Sequence, residues 1–237
     1  MDKEPPGILE RIDSEYPEYP EVWQSQLSDL VTAMRGVHRK VVSEDREGFS
    51  GADVITLNRD VLMRDYMLNP HLYGILRSSN VQIVSTINGQ RRISSVIPAD
   101  WRDLPQLFEE YSKGLESRTN TIDEDTPVGE VLDTAAWAHF ELIRLHPFME
   151  GNGRTARLLV DFIFARAGLP YITEWGSKNR EYIETVYEAH ANFDSGIFKK
   201  FLARKLMASV RDLEEEFGSL KGYTDNVKSQ LSDVLSG

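Results

Sequence analysis

Residues 146–168 read HPFMEGNGRTARLLVDFIFARAG, and the change of character within this stretch decides how the chain folds. From Arg154 onward, Leu158, Leu159, Phe162, Ile163 and Ala167 recur at helical spacing and form one apolar stripe. Gly168 supplies a left-handed stop, and Pro170 prevents continuation. The turn Gly151-Asn152-Gly153 therefore lies at a helix N-terminus. Amides without an intrahelical acceptor, and about half a positive charge, favour an anion at such a place. Upstream, Thr126 is expected to cap a second helix with Pro127 at its first position. Val128, Val131, Leu132, Ala135, Leu142 and Leu145 make that helix's buried stripe, and it delivers His146 directly into the turn. His139 lies on the same stripe and is expected to be a packed, hydrogen-bonded histidine.

Each residue type in 146–157 suits one part of handling a nucleoside triphosphate. His146 can take a proton from a hydroxyl nucleophile, because an imidazole titrates near neutrality. Glu150 is a hard oxygen ligand for the magnesium that accompanies such a nucleotide. Gly151, Asn152 and Gly153 let the backbone turn tightly and aim its amides at phosphate oxygens. Arg154 and Arg157, three apart, project from the first helical turn and can neutralise the remaining charge with bidentate geometry.

These residues fit the signature HPFx(D/E)GNGRxxR of the Fic domain at every specified position, and the chain resembles that family. The flanking AAWAHFELIRL, AGLP and REYIETVYEAH are similar as well. The resemblance is strong over Pro127–Leu206, weaker back to the hairpin near residue 81, and slight outside. It implies a mainly α fold, a Fic-type helical bundle with a small β-hairpin flap over the active site. It also implies a protein adenylyltransferase, which moves AMP from ATP to a Ser, Thr or Tyr hydroxyl of a target protein and releases pyrophosphate. Carried over, His146 would be the general base and Glu150 the holder of Mg²⁺. Gly151, Asn152 and Gly153 would form the anion hole around the α-phosphate. Arg154 would contact the β- and γ-phosphate region, and Arg157 the γ-phosphate. Tyr182 and Asn192 would line the adenosine pocket, while Pro147 and Phe148 shape the loop.

The rest of the chain organises around this core. Residues 1–20 hold four of the ten prolines and many acids and suggest an extended acidic arm. Residues 21–80 form an N-terminal helical region, with helices over Val22–Val42 and Asp53–Leu76 separated by the break Gly48–Gly51. Val54, Leu57, Val61, Leu62 and Tyr66 would face inward from the second. The core domain spans 81–206. Its one β segment is 81–98, where VQIVSTI and QRRISSVI flank Asn88-Gly89, a strong hairpin signal. By resemblance this flap docks the target as an added strand, a mode that needs an open edge. Trp101–Lys113 is expected to be helical and Ser117–Asp125 a polar loop. Arg180–Asn192 and Ile197–Glu216 are two further helices, and 207–237 a C-terminal helix and tail, in which Phe217, Leu220, Val227 and Leu231 would pack back unless the polar, acidic stretch from Leu213 frays. About eight to ten helices are expected.

A net charge of −11 argues against nucleic acid as the main partner, since a phosphate backbone needs a positive face. No apolar run approaches a membrane span, and the N-terminal residues carry no signal-peptide pattern. Zero cysteines exclude disulfides and thiol catalysis and fit a cytoplasmic setting. The sequence is compatible with a homo-oligomer.

Many Fic proteins carry an inhibitory (S/T)xxxE(G/N) helix, and Ser43-Glu44-Asp45-Arg46-Glu47-Gly48 fits that pattern. The resemblance then implies that Glu47 pairs with Arg157 and blocks productive seating of the γ-phosphate. Other readings within the fold are transfer of another nucleotide or phosphate moiety, or removal of AMP with Glu47 positioning water. Kinase-type members carry Lys where this chain has Gly153. A toxin-like interaction module without turnover is the alternative from a different class.

Overall fold

The computed structural model describes Ala33 and residues 48–63, 67, 70–71, 73–87, 90–94, 96–172, 175, 180–218 and 221–236. The acidic arm, most of the first expected helix, Tyr66, the Asn88-Gly89 turn, and Ser43 and Glu47 lie outside these residues. Seven helices and one hairpin are found among the described residues.

Helix α1 (Gly51–Asp60) starts where Ser50 closes a capping box: its Oγ accepts from the Asp53 amide while the Asp53 carboxylate accepts from the Ser50 amide. Val54, Leu57, Val61 and Leu62 are all buried, as their spacing implies. The chain enters this helix through a close approach. A Cβ on Gly48 would come within 2.4 Å of the Glu116 carbonyl oxygen, so only glycine fits. Next to it Phe49 is buried against Phe162, with ring centroids 4.3 Å apart. The helix ends at Asp60, well before Leu76, and the chain bends at 73–75 with Gly74 at φ 65°.

Strands β1 (Val84–Ile87) and β2 (Gln90–Ile93) pair antiparallel with Val84 opposite Ile93 and Ile87 opposite Gln90. This register brackets the Asn-Gly pair, and the strands are shorter than the flanking apolar runs. A two-stranded sheet leaves each strand with one unpaired edge among the described residues.

Helix α2 (Leu104–Asn120) runs seven residues past Lys113 because Leu115 and Thr119 continue its buried face. The expected loop therefore shrinks to the residues after Asn120. Helix α3 (Val128–Leu145) forms the axis. Twelve of its eighteen residues are buried, which places it inside the bundle rather than on its surface. It contacts α2, α4 (Asn152–Arg166), α5 (Arg180–Ala191), α6 (Ser195–Glu216) and α7 (Lys221–Ser236). Thr126 does not cap it. The Thr126 hydroxyl is engaged with Asp123, and the Val128 amide donates instead to Gln230 Oε1 of α7 at 2.9 Å. The C-terminal stretch is not a frayed tail, although Phe217 stays exposed and does not pack back, and Leu220 lies outside the described residues. Residues 221–236 are a helix seated on α3 and α6, with Val227 and Leu231 buried.

Candidate active site

Helix α3 stops at His146, whose backbone is left-handed at φ 48°, ψ 57°, while its amide still reaches the Leu142 carbonyl at 2.9 Å. The imidazole is thus presented off a rigid helix end. The turn that follows is closed from inside. Asn152 is buried and uses both ends of its amide on one residue: Oδ1 accepts from the Phe148 amide and Nδ2 donates to the Phe148 carbonyl. The Phe148 ring is buried edge-on to Phe108. With Asn152 Oδ1 and one Nδ2 hydrogen occupied in this clasp and the side chain buried, the backbone amides are the main donors left for an anion. Those of Asn152, Gly153 and Arg154 open α4 and have no acceptor within the helix.

Gly151 caps α4 at φ 80°, a conformation that favours glycine, and a Cβ there would lie 2.8 Å from Asn58 Nδ2 and Leu62 Cδ1. The neighbour that forbids a side chain also fixes the turn. Asn58 is fully buried; its Nδ2 donates to the Glu150 carbonyl at 2.9 Å and to Thr155 Oγ1 at 3.2 Å. Its Oδ1 accepts from the Gly74 amide. The Glu150 side chain is exposed, with no ion-pair partner among the described residues.

Both arginines are held at the start of α4. Arg154 Nη1 donates to the Val61 carbonyl at 3.2 Å. Arg157 lies over the Tyr182 ring, 5.2 Å from its centroid, and its Nη1 is near the open side of Gly153. Tyr182 is buried, and its hydroxyl is 2.9 Å from Nε2 of the buried His139. Behind the arginine, then, stands a tyrosine braced by a histidine, and His139 itself is stacked on Phe198 with centroids 4.0 Å apart. His139 is the packed, hydrogen-bonded residue its stripe position implied. Asn192 sits just past the other end of α5, exposed, with Nδ2 bonded to the Glu188 carbonyl. The structure thus gathers His146, Glu150–Arg154, Arg157 and Tyr182, while Asn192 is roughly 15 Å along the helix from Tyr182.

The charges are tuned by burial. It lowers the His146 pKa to about 4, the Arg77 cation adds to this, and the Ile143 backbone opposes it. His139 is pushed well below the usual histidine range by burial, then by Arg157 and His190. Burial raises the Asp161 carboxyl to about 7 against the Ile172 amide, the Trp175 indole and Arg157. His146 Nδ1 is buried without a hydrogen-bond partner of good geometry, which leaves Nε2 as the nitrogen for a substrate.

Among the described residues no three acidic, histidine or cysteine side chains cluster to hold a metal. The donor set instead suits magnesium, which takes one or two carboxylates and draws its other ligands from phosphates and water.

Residues 48–164 match the Fic/DOC family. The chain belongs to that family. Protein adenylyltransferase fic-1 of Caenorhabditis briggsae is 34% identical over 207 residues, covering 86% of this chain and 36% of the relative. Its namesake in Caenorhabditis elegans is 28% identical over 212 residues, covering 90% and 37%. The chain therefore spans little more than a third of the length of these curated relatives. The solved structure of C. elegans Fic-1 superposes with a TM-score of 0.65 at 22% identity, covering 90% of this chain and 58% of that one. At that identity the likeness shows the fold, a Fic helical bundle.

Three residues in or beside the candidate site escape motif reading: Asn58, Arg77 and Asp161. Asn58 had a signal, for it falls four after Val54 and four before Leu62 on an apolar stripe. Asp161 likewise interrupts the stripe of α4 one turn after Arg157. Arg77 carries no local signal.

Proposed function

We propose that this Fic domain transfers AMP from ATP to a Ser, Thr or Tyr hydroxyl of a target protein. The observation that carries the reading is the join of α3 to α4: a neutral imidazole on one helix end, and six residues later an amide-lined helix start with two guanidinium groups. The hydroxyl oxygen forms a bond to the α-phosphorus as its proton passes to His146 Nε2. The bond from that phosphorus to the bridging oxygen breaks, and its electron pair leaves with pyrophosphate. The α4 amides and Arg154 and Arg157 offset the charge that gathers on the phosphates. Glu150 would hold Mg²⁺, which would supply further neutralisation of phosphate charge. The unpaired edge of the β1–β2 hairpin suits the target as an added strand. The names of the two nematode relatives support the same activity.

Purified protein incubated with magnesium and ATP labelled at the α-phosphate should place label on protein. ATP labelled only at the γ-phosphate should place none. Label arriving from the γ position alone would replace this reading with phosphorylation. The metal assignment has its own expectation. Glu150→Ala should raise the Mg²⁺ concentration for half-maximal transfer at least roughly tenfold. Its thermal stability should stay within about 0.5 kcal/mol of the parent, because the side chain is exposed. An unchanged magnesium titration would assign the metal elsewhere.

A further inference from the structure

Arg77 is 3% exposed and forms no direct ion pair with a carboxylate among the described residues, although Asp100 attracts it from farther off. A buried guanidinium without a carboxylate in contact is costly unless its donors are satisfied. Here backbone oxygens do that. Nε donates to the His146 carbonyl at 2.8 Å and Nη1 to the Ser79 carbonyl at 2.7 Å. Nη2 donates to the Ala99 carbonyl and, at 3.3 Å, to that of Leu145. The Arg77 amide adds a bond to the Pro147 carbonyl at 2.9 Å. Two of these acceptors, Leu145 and His146, belong to the C-terminal end of α3, where the helix dipole favours a cation. The other two side-chain acceptors flank the hairpin, Ser79 on the leg entering β1 and Ala99 on the leg leaving β2.

We propose that Arg77 is a positioning residue that couples the hairpin to the general base, one planar fork fastening both hairpin legs to the carbonyls of Leu145 and His146. The inference rests on His146 being the base. A strand added at the hairpin edge presents its hydroxyl to an imidazole whose backbone is tied to that same hairpin. The two reacting groups therefore share one frame. His146 needs such a tie, since a left-handed non-glycine residue is held by its surroundings rather than by its own preference. Lysine cannot replace the fork, because an ammonium on a flexible stem does not span four carbonyls in fixed directions.

Arg77 touches neither the α4 amides nor the two motif arginines, so nucleotide affinity and transfer should separate. Arg77→Lys should bind ATP with magnesium with a Kd within about threefold of the parent. It should transfer AMP roughly 10–100-fold more slowly, the scale of an ångström-sized misplacement. Hydrogen exchange reads the same coupling without turnover. In the parent, amides in 78–83, 96–100 and 146–148 should open together. In Arg77→Lys they should exchange faster while α4 keeps its protection. Separate opening of these segments in the parent overturns the coupling, even if the variant fails to fold. So does normal transfer by Arg77→Lys, or equal loss of ATP affinity and rate. Should the parent transfer no label at all, the functional reading fails while the exchange result still decides the mechanical one.

Discussion

Replacing His146 by alanine or asparagine should lower AMP transfer by about 10²–10⁴-fold, the contribution of a positioned base, while ATP binding persists. Asparagine is the more informative variant. It tolerates the left-handed backbone at φ 48° better than other non-glycine residues, so loss of activity would not be a loss of the α3 C-cap. The pH dependence adds a second constraint. Transfer needs the neutral imidazole, and burial and Arg77 hold its pKa at about 4 in the free protein. The kcat/KM profile should therefore stay flat well below pH 6.5, where an ordinary histidine would begin to protonate. Bound triphosphate brings negative charge towards the ring and raises that pKa, so the acidic limb of kcat should lie above the limb of kcat/KM. Protein stability has to be followed in the same buffers. His139 and His146 both have folded pKa values below the unfolded one, so the unfolded chain binds more protons and stability falls as pH drops below about 6.5. An acidic limb of kcat/KM near 6.5 in folded protein would mean either that His146 titrates as an ordinary histidine, unshifted by burial and Arg77, or that the base is another group, and the limb's survival in His146→Asn would decide for the second. Retained transfer by His146→Asn would remove His146 from the chemistry.

What could be read without the structure was local. The stripes of α3 and α4, the Gly168 stop and the helix start at Gly151–Asn152 all depend on spacing within a few turns, and all are found. The burial of Leu158, Leu159, Phe162 and Ile163 follows from the same period. The hairpin was legible for a similar reason, because a two-residue Asn-Gly connection fixes register from the inside.

What could not be read was settled by partners distant in sequence. Thr126 followed by Pro127 has the local form of a cap, yet Gln230, more than a hundred residues on, takes the Val128 amide. Leu115 and Thr119 extend α2 because Thr119 Oγ1 accepts from the Phe49 amide across the bundle. In the polar C-terminal stretch the apolar pair Val227 and Leu231 is visible in the sequence, but that it anchors a full helix, α7, depends on the distant faces of α3 and α6. In the site the division is the same. The motif names the groups that face a substrate, whereas Asn58 and Arg77 act on backbone oxygens of the motif, 92 and 69 residues away. No spacing rule encodes such a contact.

Asp161 is the clearest instance of a buried group outside the motif, and its substitution should be a large stabilisation. The carboxyl is 4% exposed, one helical turn after Arg157. Its pKa is pushed up to about 7 by burial, against the Ile172 amide, the Trp175 indole and the Arg157 cation. The folded pKa thus exceeds the unfolded value near 3.9, and the folded state binds more protons between those limits. Stability contributed by the protonated acid is complete below about pH 4 and is lost as pH rises through 7. From there on, the fold carries an ionised buried carboxylate at a cost of order 4 kcal/mol. Both donors, the Ile172 amide at 3.3 Å and Trp175 Nε1 at 3.4 Å, address the same oxygen, Oδ1. Asparagine can place its carbonyl there and keep both bonds while removing the charge. Asp161→Asn should therefore raise Tm at pH 8 by several degrees, at the usual 2–4 °C per kcal/mol for a chain of about this size. The gain should shrink steadily as pH falls towards 4. The loss of attraction to Arg157 sets the limit on that gain. If the carboxylate were instead worth more to Arg157 than it costs to bury, the variant would melt lower at pH 8, and ATP affinity would fall with it. Equal melting temperatures across pH 4–8 would show that the carboxyl titrates normally and that the core around Trp175 is wetter than its packing implies.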